Sequence, residues 1–157
     1  MKPALMVGSI LIAFLFLSAG KALAQPIAKH LLDAKPPEAL LFDVEKWFQD
    51  HPIERGNVRG ETVFLSPRAQ VLFIRGKGLL LGRHIHTVVD ELVYVYKGRG
   101  EMYINGKWVP VKAGEFHTCP RGVAHSTRAA NGEEIWLIAF FTDPLPQPLG
   151  DRVMIDE

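Results

Sequence analysis

The sequence predicts a single all-β domain, a sandwich or small barrel, preceded by a short helical segment. Three observations carry that expectation. From Glu61 onward, short runs rich in Val, Ile, Phe, Tyr and Thr recur at regular spacing between Gly, Pro and Asn turns. Asn105-Gly106 lies between two such runs and is the strongest short hairpin signal in the chain. The 157 residues suffice for one domain with a real core, and neither an internal repeat nor a second domain is visible.

The first segment stands apart from that domain. Met1-Lys2 is a short basic opening, followed by an apolar stretch from about Ala4 to Ala19 and then by Ala22-Leu23-Ala24, an A-x-A cleavage signature. Residues 1–24 are therefore expected to be a secretory signal peptide, cleaved before Gln25. The apolar run is shorter than the roughly 20 residues of a membrane span. No Cys lies near the cleavage point and no Arg-Arg pair precedes the apolar run, which argues against a lipoprotein and against twin-arginine export. The expected location is periplasmic or secreted, with no stable membrane insertion after cleavage. Removing Lys2 and Lys21 from the 18 basic groups leaves 16 against 17 acidic ones, in a mature chain of 133 residues. No basic run or stripe is present, so nucleic acid is not an expected partner. Cys119 is the sole cysteine, so no intrachain disulfide forms.

Residues 25–60 read as an N-terminal arm and short helix. The stretch from Gln25 to about Pro37 is polar and Pro-containing. Between Glu38 and Asp50, Leu40, Leu41, Val44, Trp47 and Phe48 fall at near-helical spacing, and the helix must end before Pro52. The barrel is expected over residues 61–141. Thr62–Leu65 and Val71–Ile74 flank Ser66-Pro67-Arg68 as a hairpin-like pair. Strands follow at Leu79–His86, Glu91–Tyr96, Met102–Ile104, Trp108–Val111, Phe116–Cys119, His125–Ala129 and Ile135–Phe141. The tail, residues 142–157, holds Pro144, Pro146 and Pro148 and reads as irregular.

Two segments carry the functional information: Gly78-x5-His84-x-His86-x4-Glu91-x6-Gly98 and Gly114-x5-Pro120-x-Gly122-x2-His125. His84 and His86 are two apart, which on a strand places both rings on one face. Glu91 opens the next strand after a turn that folds it back beside them. Alternation then sends Val93 and Val95 inward with Glu91, and Tyr94 and Tyr96 outward. His125 arrives from another part of the barrel, behind the Pro120/Gly122 turn. Three imidazoles and one carboxylate suit one divalent transition metal: Fe, Mn, Ni, Zn or Cu. The bland alternative is a degenerate site that keeps the side chains and binds no metal.

These motifs resemble those of the cupin family. The first segment matches the family's first motif at every position quoted, and the second matches its Gly, Pro, Gly and His. The family's final Asn would fall at Ala129, whereas Asn131 lies two residues later; that position is not a ligand. The resemblance covers about Glu61 to Phe141. It implies an antiparallel jelly-roll (cupin) barrel with a metal in its mouth, held by His84, His86, Glu91 and His125, and a homodimer as the default assembly. It does not fix the reaction, since the family includes dioxygenases, decarboxylases, isomerases, lyases, sugar-binding regulators and storage proteins.

Other residues have plainer readings. His117 and Cys119 share a face of the strand entering Pro120. If that face is inward, His117 is a candidate acid or base beside the metal and Cys119 flanks the substrate; packing is the simpler role for both. Asp90 should face away from Glu91, in a turn. Arg83 should point opposite to His84. Trp108 and Trp136 read as core or interface, and His30 and His51 as surface. Two functions compete. The first is an exported metal-dependent enzyme on a small organic substrate, oxygenase first, with lyase, decarboxylase and isomerase chemistry open. The second is a non-catalytic periplasmic carrier or accessory protein for a metal or small ligand.

Overall fold

The computed structural model describes residues 39–146 and 150–155. The expected signal peptide, His30 and the arm up to residue 38 lie outside the described residues. Among the described residues one helix, α1 (Val44–Asp50), precedes ten strands: β1 (Val58–Ser66), β2 (Ala69–Lys77), β3 (Leu79–His86), β4 (Glu91–Lys97), β5 (Arg99–Ile104), β6 (Lys107–Lys112), β7 (Phe116–Cys119), β8 (His125–Ala129), β9 (Glu134–Phe141) and β10 (Arg152–Met154). They form two five-stranded sheets, ordered β1-β2-β9-β4-β7 and β10-β3-β8-β5-β6. Each strand pair is antiparallel. The pairings β2–β9 and β3–β8 join strands far apart in sequence, as a jelly roll requires.

Residue alternation fixes which sheet face is buried. Along β4, Glu91, Val93 and Val95 are buried, while Leu92, Tyr94 and Tyr96 are only half-buried. Val93 and Val95 join Ile135, Leu137, Ala139 and Phe141 of β9 and Ala129 of β8 in the core between the sheets. The Asn105-Gly106 turn forms as expected, with φ of 51° and 81°, and Ile104 pairs with Lys107 across it. At Gly98 a side chain has no room: a Cβ there would meet the Glu134 carbonyl oxygen at 2.2 Å.

A second apolar layer covers the outer face of the first sheet. Phe48 of α1 is fully buried against Phe73 of β2 and Trp136 of β9, with ring centroids 5.3 and 4.9 Å away. Trp136 is thus a core residue. Arg75 of β2 donates from Nη1 to the Phe48 carbonyl at 2.6 Å and pairs with Glu134, tying the helix to the sheet. This double-sided burial accounts for the unbroken apolar run of β9, which lacks the alternation of a half-exposed strand. The helix is shorter than the pattern from Glu38 predicts. Asp43 caps it, its carboxylate accepting from the Lys46 backbone N–H at 3.0 Å, and the backbone at Asp43 is extended. Leu40 and Leu41 fall before the cap and are exposed. His51 is not a plain surface residue, because it stacks on Trp47 at 4.0 Å and is half-buried.

The tail also departs from expectation. Instead of being irregular throughout, it adds β10 to the edge of β3, pairing Arg152 with His86 and Met154 with His84.

A seven-residue helix is unstable alone and depends on its docked face. Phe48→Ala is therefore expected to lower the unfolding free energy by about 3–5 kcal/mol, read by urea denaturation. A loss below about 1 kcal/mol would show that α1 does not cover this sheet.

Candidate metal centre

Three strands bring the four motif residues together. His84 and His86 lie on β3, both buried. His125 opens β8 directly opposite His84 in the β3–β8 register, and their ring centroids are 4.3 Å apart. Glu91 comes from the facing sheet, as the first residue of β4 after a four-residue crossing from β3. One nitrogen from each imidazole and one Glu91 oxygen all lie within 4.8 Å of one another. The cluster thus spans the two sheets at one end of the barrel core.

The outward-facing nitrogen of each ring is already committed. Nδ1 of His84 lies 2.9 Å from the Gly82 carbonyl, and Nδ1 of His125 lies 2.8 Å from the Val123 carbonyl. Nδ1 of His86 lies 2.5 Å from the Asp151 carboxylate. Carbonyls and carboxylates only accept, so each Nδ1 carries the proton and each Nε2 presents a lone pair to the interior. That is the tautomer a metal ligand needs.

The same assignment tests whether a cation belongs here. Nε2 of His125 sits 2.9 Å from a Glu91 oxygen, and Nε2 of His86 sits 3.4 Å from the same oxygen. A neutral imidazole with Nδ1 protonated has no hydrogen to donate at Nε2. Two acceptors in contact within a buried space require a positive charge, either a proton or a metal ion held by both. The donor set fits a divalent transition metal.

The ionisation equilibria agree. Burial works to raise the Glu91 carboxyl, but contact with His125 and His86, when those rings carry the extra proton, outweighs it and holds Glu91 at about 2. Burial lowers His84 to about 4, leaving it neutral and free to ligate at neutral pH. Burial also pushes His86 down, but Glu91 and Asp151 prevail and raise it.

Asp151 is the functional residue that sequence reasoning missed. Its Oδ2 accepts from the backbone N–H groups of Thr87, Val88 and Val89 at 2.9, 2.8 and 3.2 Å, while Oδ1 holds His86. Burial would raise this carboxyl; His86 and the backbone donors outweigh it and lower it. Asp151 therefore fixes both the His86 ring and the β3–β4 crossing that delivers Glu91. No motif marks it, since it lies 65 residues from His86, behind a Pro-rich stretch.

The remaining candidates fall outside the cluster. His117 pairs with Val93 across β7–β4, and both of its ring nitrogens are buried with no hydrogen-bond partner among the described residues. Burial lowers it to about 4. It makes no hydrogen bond to the four clustered residues. Cys119 is fully buried, and its thiol is pushed up to about 12 by burial and then by Glu91, so no thiolate forms. Asp90 turns away and accepts from the Arg121 N–H at 2.9 Å. The Arg83 guanidinium lies over the Tyr103 ring, and Trp108 packs against Tyr103 and Arg128. His117→Leu removes two unpartnered buried nitrogens and is expected to stabilise the fold. An unfolded His117 takes up a proton near 6.5, the folded one near 4. The gain should therefore widen as pH falls through that window, and equal stability of the two proteins throughout would place His117 in water.

Comparison with known proteins adds to this geometry. The sequence profile of the cupin domain matches residues 71–141. No curated protein sequence matches the chain significantly. Among solved structures, an uncharacterized conserved protein with a double-stranded β-helix domain from Klebsiella pneumoniae aligns at 16% identity and a TM-score of 0.62, over 76% of this chain and 100% of that one. A cupin-2 domain protein from Shewanella frigidimarina aligns at 19% identity and a TM-score of 0.55, over 64% of this chain and 92% of that one. The Streptomyces protein Pac13, described as a nucleoside dehydratase, aligns at 15% identity and a TM-score of 0.55, over 63% and 78%. At these identities the neighbours establish the fold. Profile, strand topology and neighbours agree that residues 71–141 of this chain are a cupin domain.

Proposed function

We propose that this protein is an exported, metal-dependent cupin enzyme whose substrate is a small organic molecule bound inside the barrel. The observation that carries this reading is the buried cluster of His84, His86, Glu91 and His125, with each Nδ1 engaged elsewhere and the Nε2 atoms convergent. A cavity of about 280 Å³ adjoins these residues, at the small end of ligand-site sizes. When bound, a divalent metal would supply Lewis-acid or redox chemistry at that end of the cavity. The protein's own part is to hold the imidazoles in one tautomer, keep Glu91 ionised and exclude water with apolar walls.

The lining narrows the reaction class. Apart from the cluster, it offers no Asp, Glu, Lys, Tyr or His among the described residues. Dehydration and isomerisation need a proton acceptor or donor beside the reacting carbon. Oxygenation places less demand on the wall, so an oxygenase is the first assignment. His117 remains a candidate proton carrier through its place on β7, but it does not line the cavity. The same lack of an acid or base favours the second reading, a periplasmic metal or small-ligand binding protein. Export is supported by the leader-like sequence of residues 1–24. Metal acquired outside the cytoplasm would follow intrinsic affinity, which favours Cu and Zn over Mn and Fe.

The test is elemental analysis of the protein exported by its own leader and purified without added metal. About one transition metal per chain is expected, with near-complete loss in His84→Ala. No metal, and none taken up on reconstitution, would overturn the metal reading. Oxygen uptake with candidate substrates then separates oxygenase from carrier. Asp151→Asn keeps the shape of the side chain but removes the charge facing His86. It is expected to weaken metal affinity about 10- to 100-fold, measured by competition with a chelating dye; an unchanged affinity would show that Asp151 does not act on the centre.

A further inference from the structure

The cavity has a polarity that the four clustered residues do not explain. Its body is hydrocarbon, with Leu72, Ile74, Val93, Leu137 and Phe141 among its walls. Two hydroxyls reach it, but both are engaged within the wall: Ser126 Oγ donates to the Leu81 carbonyl at 2.5 Å, and Thr127 Oγ1 lies 2.6 Å from the Met102 sulfur. One further charged side chain lines it, that of Arg152.

Arg152 differs from the arginines that brace the sheets. Arg59, Arg75, Arg99 and Arg128 each hold a carboxylate: Glu61, Glu134, Glu133 and Glu101 respectively. Arg152 is exposed where it borders the cavity, and it has no hydrogen-bond or ion-pair partner among the described residues. Its position is set by register. It stands opposite His86 across β10–β3, and opposed residues of an antiparallel pair project from the same face of the sheet. The guanidinium stem therefore leaves β10 on the side that carries the His86 ring. Asp151, the preceding residue, is anchored by His86 and three backbone N–H groups, which fixes the backbone from which Arg152 projects.

We propose that the cavity takes a small organic carboxylate with a compact apolar body, its carboxylate paired with Arg152 and its body against the Leu72, Ile74 and Phe141 wall. A guanidinium presents paired N–H donors that match the two oxygens of a carboxylate. The apolar walls supply the affinity for the body and reject strongly hydrated molecules. The proposal rests on the metal reading in one respect: a cation on the cluster and Arg152 together make the wall net positive, with Glu91 the one negative group on it.

The experiment is calorimetric titration of the full chain with benzoate, its uncharged isostere benzamide, and acetate, which has the charge without the body. Each protein is titrated as exported with its metal and again after chelation. Benzoate is expected to bind at least about ten-fold tighter than either benzamide or acetate. The preference over benzamide should fall to near parity in Arg152→Gln and persist in part in Arg152→Lys. Equal binding of benzoate and benzamide, a preference untouched by Arg152→Gln, or no saturable binding of benzoate would each overturn the proposal. Thermal melts of both variants check folding, and the wild-type comparison decides the question if either fails to fold. A protein that carries no metal yet shows the Arg152-dependent preference would sink the metal reading alone. A metal-loaded protein without the preference would sink this proposal alone.

Discussion

The buried charge of Glu91 is the constraint around which the site is arranged. A carboxylate inside an apolar barrel is costly unless positive charge and hydrogen-bond donors surround it. The opposite sheet sets the Nε2 atoms of His86 and His125 against one Glu91 oxygen, so a cation shared among the three, proton or metal ion, is what meets the demand. The two sheets are thus joined by a polar contact at one end of a core that is otherwise hydrocarbon. That contact also depends on the register of β4. A one-residue slip of β4 would exchange Glu91 for Leu92 and turn Val93 and Val95 outward.

Support for the centre is layered. The imidazoles are fixed by groups that belong to the barrel itself, the Gly82 and Val123 carbonyls, and by one group from outside the motif-bearing region, Asp151. The two kinds differ in what they impose. A carbonyl two residues away sets ring orientation as a by-product of strand geometry. A carboxylate sets orientation and adds negative charge, which strengthens the imidazole as a donor to a cation. The outer layer of α1 contributes at a distance, by burying the far face of the sheet that carries Glu91.

The sequence made the barrel legible because its signals were local. The bounds of β3 and β7 coincide with the runs read from alternation, and Asn105-Gly106 forms the turn its chemistry demands. The four clustered residues were legible through spacing, which placed two rings on one face and a carboxylate at the next strand's start. What stayed hidden depended on long-range partners. β10 is three residues long and exists through pairing with β3, so no periodicity could announce it. Asp151 looks like any turn acid until β10 docks beside His86. The helix start was misplaced for a local reason: apolar spacing at Leu40 and Leu41 outvoted the capping chemistry of Asp43.

Chain order gives this arrangement a temporal meaning. A polypeptide emerges from its N-terminal end, and domains fold as their sequence becomes available. By Phe141 the emerging chain contains all four clustered side chains and both sheets except for their last edge strand. The carboxylate that steadies His86 arrives ten residues later. In that order of synthesis the nest precedes its latch, so a chain ended before Asp151 would carry the four clustered side chains without the carboxylate that holds the His86 ring.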